Sequence, residues 1–216
     1  MLDAQLRRAM APSLASAGRA LAGLGVRAGW LTAGGFVAGA GACVAVATRA
    51  WPFALALWFA NRALDGLDGP VARAQGSTEL GGLFDIMADF AVYGGFVVGV
   101  AVAVPDARLA CVVLLFCYYV SGTALLALSS LLARREGSSD EQRSLRFTGG
   151  LAEGAETIVV YTLFCLLPGS AQPIAWGFAA AVGVTALQRV VFGVRLLRPG
   201  RRNNSTTTEG TQEHSR

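Results

Sequence analysis

The segment Asn61–Phe90 reads NRALDGLDGPVARAQGSTELGGLFDIMADF. It sets Asp65, Asp68, Asp85 and Asp89, with Arg62 and Arg73, between long apolar runs. An Asp or Arg at the centre of a membrane helix costs roughly 2.5 to 3.5 kcal/mol, and less near the interface. A chain this apolar carries such a load only where the charges have a partner or a use.

The rest of the chain supports the membrane reading. Apolar residues make up 54% of the 216 and charged residues 15%. Soluble domains carry about 25% charged residues, so a disordered chain is excluded and a soluble globule disfavoured. Six candidate spans follow from the apolar runs, at 30–48, 51–74, 80–104, 108–133, 150–168 and 173–193. Each is close to the ~20 residues needed to cross a bilayer. Pro52, Pro105, Pro168 and Pro173 stand at or near the breaks. The expected fold is therefore all-α integral membrane, with six transmembrane helices. Leu2, Leu6, Met10 and Leu14 recur every four residues, so residues 1–29 predict an amphipathic helix on the membrane surface. Residues 30–195 form the six-helix domain, and 196–216 a basic, disordered tail.

Charge sets the expected orientation. The net charge is +4 and every basic residue is arginine. With six spans both termini share a side. That side holds Arg7, Arg8, Arg19 and Arg27, the 134–146 loop with Arg134, Arg135, Arg143 and Arg146, and Arg195, Arg198, Arg201 and Arg202. The other side holds only Arg49 and Arg108. Both termini are thus expected in the cytoplasm. The arginines form no basic face and no basic-aromatic motif, so nucleic acid is not an expected partner. Cys43, Cys111, Cys117 and Cys165 all fall in apolar stretches and read as small buried hydrophobes. The single histidine, His214, lies in the tail, which disfavours a histidine-ligated metal or a histidine base.

Spacing gives the acids a shared geometry. Asp65, Gly69 and Arg73 fall four apart on one helix face, and Asp85 and Asp89 form a second such pair. A short linker lets the two helices face each other, so the four carboxylates converge at a cavity open to the cytosol. They repel one another unless protonated or neutralised by a cation. Hard oxygens without His or Cys favour Mg²⁺ or Mn²⁺. Two ions would balance four carboxylates and suit transfer at phosphorus. Gly66, Gly69 and Ala72 leave room near the backbone, Pro70 frees the Gly66 carbonyl from a helical bond, and Arg73 can grip a phosphate. The competing reading is structural: Asp65 with Arg62, or Asp68 with Arg73, as helix glue. It leaves at least two carboxylates unpaired.

These residues resemble the signature of the CDP-alcohol phosphatidyltransferases, D-x-x-D-G-x-x-A-R, a spacer, then G-x-x-x-D-x-x-x-D. It stands here as Asp65, Asp68, Gly69, Ala72, Arg73, Gly81, Asp85 and Asp89. The spacer from Arg73 to Gly81 is one residue shorter than the common one. The stretch GGLAEGAETI at 149–158 resembles a bacterial inner-membrane branch of the family with no settled acceptor. The resemblance implies that Asp65, Asp68, Asp85 and Asp89 hold the metal pair, with Asp89 also the base for the acceptor hydroxyl. It implies CDP contacts from Gly69, Ala72 and Arg73, with Thr78 and Gly81 as further candidates. Asn61, one turn before Asp65, is either a nucleotide contact or an ordinary membrane-interface residue. The implied reaction moves a phosphatidyl group from CDP-diacylglycerol to a small alcohol, releasing CMP, in a homodimer among membrane lipids. Glu153 and Glu156 either line the acceptor pocket, favouring a neutral or cationic alcohol, or serve as acids at a helix N-terminus. The same motif would serve a CDP-amino-alcohol:diacylglycerol phosphotransferase. A prenyltransferase, which calls for a second aspartate-rich motif, and a transporter or inactive scaffold fit the residues less well.

Overall fold

The computed structural model describes residues 2–136 and 154–197, with side chains from 11 to 132 and from 154 to 197. The expectations for Glu153, for the loop with Arg143 and Arg146, and for the tail from 198 onward lie outside the described residues. The helices are α1 (Leu2–Gly23), α2 (Ala28–Ala47), α3 (Trp51–Gln75), α4 (Glu79–Ala103), α5 (Arg108–Glu136), α6 (Gly154–Leu166) and α7 (Ala171–Leu197). Single 3₁₀ turns, Pro105–Ala107 and Pro168–Ser170, precede α5 and α7. No strand occurs among the described residues.

The proline breaks fall where the sequence places them. Pro52 is the second residue of α3, where its missing N–H costs nothing, and Pro105 and Pro168 each open a 3₁₀ turn. Four stretches are long and apolar enough to cross a membrane: Ala28–Ala47, Glu79–Ala103, Pro105–Leu132 and Pro168–Leu197. Helix α3 has the length, at 25 residues, but carries Arg62, Asp65, Asp68 and Arg73. Helix α6 is a shorter apolar segment. Large apolar side chains face outward around the bundle, among them Phe53 at 72% exposure and Phe116 at 65%. A water-soluble domain rarely tolerates so many, whereas lipid tails accept them.

Small residues let α2, α3 and α4 approach closely. A Cβ on Gly39 would lie 2.5 Å from Val92 Cγ2 on α4 and 2.9 Å from Asn61 Nδ2 on α3. One on Gly99 would lie 2.7 Å from the Cys43 carbonyl. Gly18 on α1 packs in the same way against Pro70 of α3. An aromatic cluster ties α3, α4 and α6 together. Phe96 stacks on Tyr161 at 4.4 Å, Trp58 lies 5.0 Å from Tyr161, and the Tyr161 hydroxyl donates to the Tyr93 carbonyl at 2.8 Å. Helix α7 pairs with α5, where Arg189 donates to Ser121 Oγ at 2.7 Å.

The two arginines at the far end have local work. Arg49, in the turn after α2 with φ 61°, donates to the Ala103 carbonyl at 2.9 Å. Arg108 donates to the Ala101 carbonyl at 3.1 Å. Both serve the carbonyl end of α4, where helices leave acceptors without intrahelical partners.

Gly39→Val should destabilise the bundle by about 1 to 3 kcal/mol, because the interface has no room for the side chain. Gly177→Ala, on open helix surface with nothing within 4 Å, should be neutral or slightly stabilising. Thermal unfolding in detergent checks the pair, and equal midpoints would contradict the packing argument.

Candidate active site

Helices α3 and α4 supply the acids. Thr78 is the N-cap of α4, and its Oγ1 accepts a hydrogen bond from the Gly81 amide at 3.1 Å. That cap starts the helix at Glu79 and so fixes the register of Asp85 and Asp89, about two and three turns further on. At the end of α3, Gly76 at φ 92° turns the chain. Gln75 pins the same corner: its Nε2 donates to the Val26 carbonyl at 2.6 Å, and its Oε1 accepts from the Ala28 amide at 3.3 Å.

The four aspartates line one small cavity with Thr32, Gly35 and Asn61. Its free volume is about 10 Å³, room for one water-sized occupant. One carboxylate oxygen each from Asp65, Asp68 and Asp85 lies within 4.8 Å of the other two. Octahedral Mg²⁺ with bonds near 2.1 Å sets neighbouring oxygens roughly 3 Å apart and opposite ones roughly 4.2 Å apart. A small inward turn of the carboxylates closes that gap, so the donor set and spacing fit a hard divalent ion. Asp68, 6% exposed, also accepts a hydrogen bond from Thr32 Oγ1 of α2 at 2.9 Å.

Asp89 stands apart from that trio. Its Oδ1 pairs with Arg62 Nη2 at 2.9 Å, and Arg62 Nη1 reaches Asp65 Oδ2 at 3.2 Å. Of the two possible glue pairs, Arg62–Asp65 forms, while Asp68 takes Thr32 as its partner. The Asn61 amide is committed to structure. It donates to the Gly35 carbonyl at 2.8 Å and accepts from Arg62 Nε at 2.8 Å, and the residue is 3% exposed. Gly69 leaves space beside the Arg73 side chain: a Cβ there would lie 3.3 Å from Arg73 Nη1. Arg73 is exposed at the last turn of α3, and Ala72 is half-buried beside it. Glu156 sits in the first turn of α6, and Glu153 lies outside the described residues.

A second hollow adjoins the acids. It measures about 520 Å³ and is lined mainly by apolar residues of α2 and α4, among them Ala33, Phe84, Met87 and Ala91. Thr32, Phe36 and Ala88 border both spaces. The roles of Thr32, Gln75 and Tyr93 were not legible in the sequence, since each depends on contacts between residues 31 to 49 positions apart.

The family model described as CDP-alcohol phosphatidyltransferase matches residues 26–192. The chain is 35% identical over 201 residues to the inner membrane protein YnjF of Escherichia coli strain K12, covering 92% of this chain and 98% of that one. The fold is similar to phosphatidylinositol phosphate synthase of Mycobacterium tuberculosis. The structure with CDP-DAG bound gives a TM-score of 0.62 at 21% identity, covering 83% of this chain and 92% of the other. The complex with manganese and citrate gives 0.63 at 21% identity, covering 84% and 88%. The chain belongs to the CDP-alcohol phosphatidyltransferase family. It is a membrane-associated enzyme of the phosphatidyltransferase class.

Thr32→Val should weaken Mn²⁺ binding by about tenfold, the usual effect of removing a residue that orients a metal ligand. The electron paramagnetic resonance signal of free Mn²⁺, titrated against purified protein, checks this. Unchanged affinity would mean that Asp68 needs no support from α2.

Proposed function

We propose that this enzyme transfers a phosphatidyl group from CDP-diacylglycerol to a small alcohol and releases CMP. The observation that carries the reading is the ring of Asp65, Asp68 and Asp85 opening beside the apolar hollow between α2 and α4. A diphosphate would sit at the acids while acyl chains remain in lipid and in the hollow. The relative solved with CDP-DAG has the same fold at 21% identity, which is consistent with this donor.

Asp65, Asp68 and Asp85 would hold Mg²⁺ or Mn²⁺, with Asp89 completing the site of a second ion. When bound, the ions supply charge neutralisation at the diphosphate. Gly69 and Ala72 let the CDP portion approach α3, and Arg73 grips it with paired N–H donors. Thr78 and Gly81 border its path at the start of α4, and Asn61 closes the inner wall. Asp89 takes the proton from the acceptor hydroxyl. The acceptor oxygen then bonds to the phosphorus that carries the diacylglycerol, and the bond from that phosphorus to the CMP oxygen breaks. Such transfer depends mainly on positioning and electrostatic stabilisation.

The remaining architecture follows from the same reading. Helices α2 to α7 make six spans of a domain over 30–195, in a bacterial inner membrane, as for the relative YnjF. Residues 1–29 lie along the cytoplasmic surface and 196–216 form a cytoplasmic tail. The local duties of Arg49 and Arg108 support this orientation, because they account for both arginines on the far side. The acidic character of Glu153 and Glu156 favours a neutral or cationic acceptor. The enzyme works as a homodimer.

CMP release from purified protein tests the reaction, using CDP-diacylglycerol, Mg²⁺ or Mn²⁺ and pooled alcohols. Release that needs an acceptor, and that falls by about 10² to 10⁴ in Asp89→Asn, is the expected result. Splitting the pool names the acceptor. Failure to bind CDP-diacylglycerol with metal would overturn the donor assignment.

A further inference from the structure

Arg62 does more than neutralise. It sits on α3 with its side chain 9% exposed, and all three of its nitrogens are engaged. Nε donates to Asn61 Oδ1 at 2.8 Å. Nη1 donates to Asp65 Oδ2 at 3.2 Å and to the Tyr93 hydroxyl at 2.8 Å. Nη2 donates to Asp89 Oδ1 at 2.9 Å. The guanidinium carbon lies 4.9 Å over the Trp58 ring and 5.0 Å over the Tyr93 ring. Asn61 is itself anchored to the α2 backbone at Gly35. Three helices therefore fix one planar cation, and that cation grips one carboxylate from each half of the motif.

We propose that Arg62 is the positioning residue for Asp89: it fixes Oδ1 and the plane of the carboxylate, leaving Oδ2 to receive the acceptor proton. The inference rests on the reading above in which Asp89 is the base. It goes further by naming what holds that base apart from the three grouped aspartates. The fork geometry is required, because only a guanidinium presents separate, rigidly spaced N–H groups to two carboxylates and a hydroxyl at once. A lysine would carry the charge without that reach.

The arrangement gives a signature that simple scaffolding lacks. Removing Arg62 takes a positive charge from beside a ring of carboxylates, so a divalent cation should bind more tightly. It also frees Asp89 to rotate, so turnover should fall. Metal affinity and turnover therefore move in opposite directions. A variant that merely loosened the bundle would lose both.

The test uses the full chain in detergent. Free Mn²⁺ resonance gives metal affinity, and CMP release gives kcat and the KM for CDP-diacylglycerol. In Arg62→Gln we expect kcat to fall about 30- to 100-fold, part of what a general base contributes. KM should stay within about threefold, and Mn²⁺ should bind about tenfold more tightly. Arg62→Lys should restore wild-type Mn²⁺ affinity yet remain at least about tenfold slow. Unchanged kcat in Arg62→Gln, parallel loss of metal binding and turnover, or full rescue by lysine would each overturn the proposal. Should Arg62→Gln not fold, Tyr93→Phe decides. It keeps the ring and removes one partner of the fork, so a fall of about three- to tenfold in kcat at wild-type Mn²⁺ affinity is expected. Unchanged kcat there would overturn the proposal. If the wild-type chain neither binds Mn²⁺ nor releases CMP, the reading of the reaction has failed and this inference falls with it. If the wild type does both and the variants match it, only the inference fails.

Discussion

Four carboxylates inside an apolar bundle are the constraint to which the rest of this structure answers. Each is costly to remove from water, and each repels the others. The chain meets the cost with a fixed guanidinium on α3, a hydroxyl from α2, and a gap between three aspartates that suits a divalent ion. None of these supports comes from a soluble layer. All come from helices that also pack the core, so metal chemistry and bundle stability share the same residues.

That sharing explains the composition of the helix interfaces. The acids can face one another only if α2, α3 and α4 lie close together, and close approach requires small residues. Gly39 sits where any side chain would strike both Val92 and Asn61. Asn61 is the pivot between packing and electrostatics. Its amide anchors α3 to α2 on one side and steadies Arg62 on the other. Below it, Trp58, Tyr93, Phe96 and Tyr161 form a packed aromatic floor. A cation laid over such rings is held in place even where no water can solvate it.

The same geometry separates two environments along one face. The acid cavity admits a water-sized occupant, and the neighbouring apolar hollow is some fifty times larger. Thr32, Phe36 and Ala88 border both. A molecule with a diphosphate at one end and hydrocarbon at the other could place each part in a matching medium without leaving the membrane. The boundary runs between α2 and the first half of α4, which is where the cap at Thr78 sets the helix register.

Much of this was legible in the chain. Apolar runs broken by proline gave the helices, and the spacing of Asp65, Asp68, Asp85 and Asp89 gave a shared site, because helical periodicity is a local property. The family signature rests on the same local spacings. What periodicity could not supply were the partners: Thr32 on Asp68, Gln75 on the turn after α1, and Arg62 bridging Asp65 to Asp89. Each joins residues 27 to 49 positions apart, except the Arg62–Asp65 step within α3. Sequence alone therefore determined which charges enter the membrane domain and on which helix faces they lie. Only the tertiary structure decided which of those charges meet, because that depends on how closely three helices pack and at what height they cross.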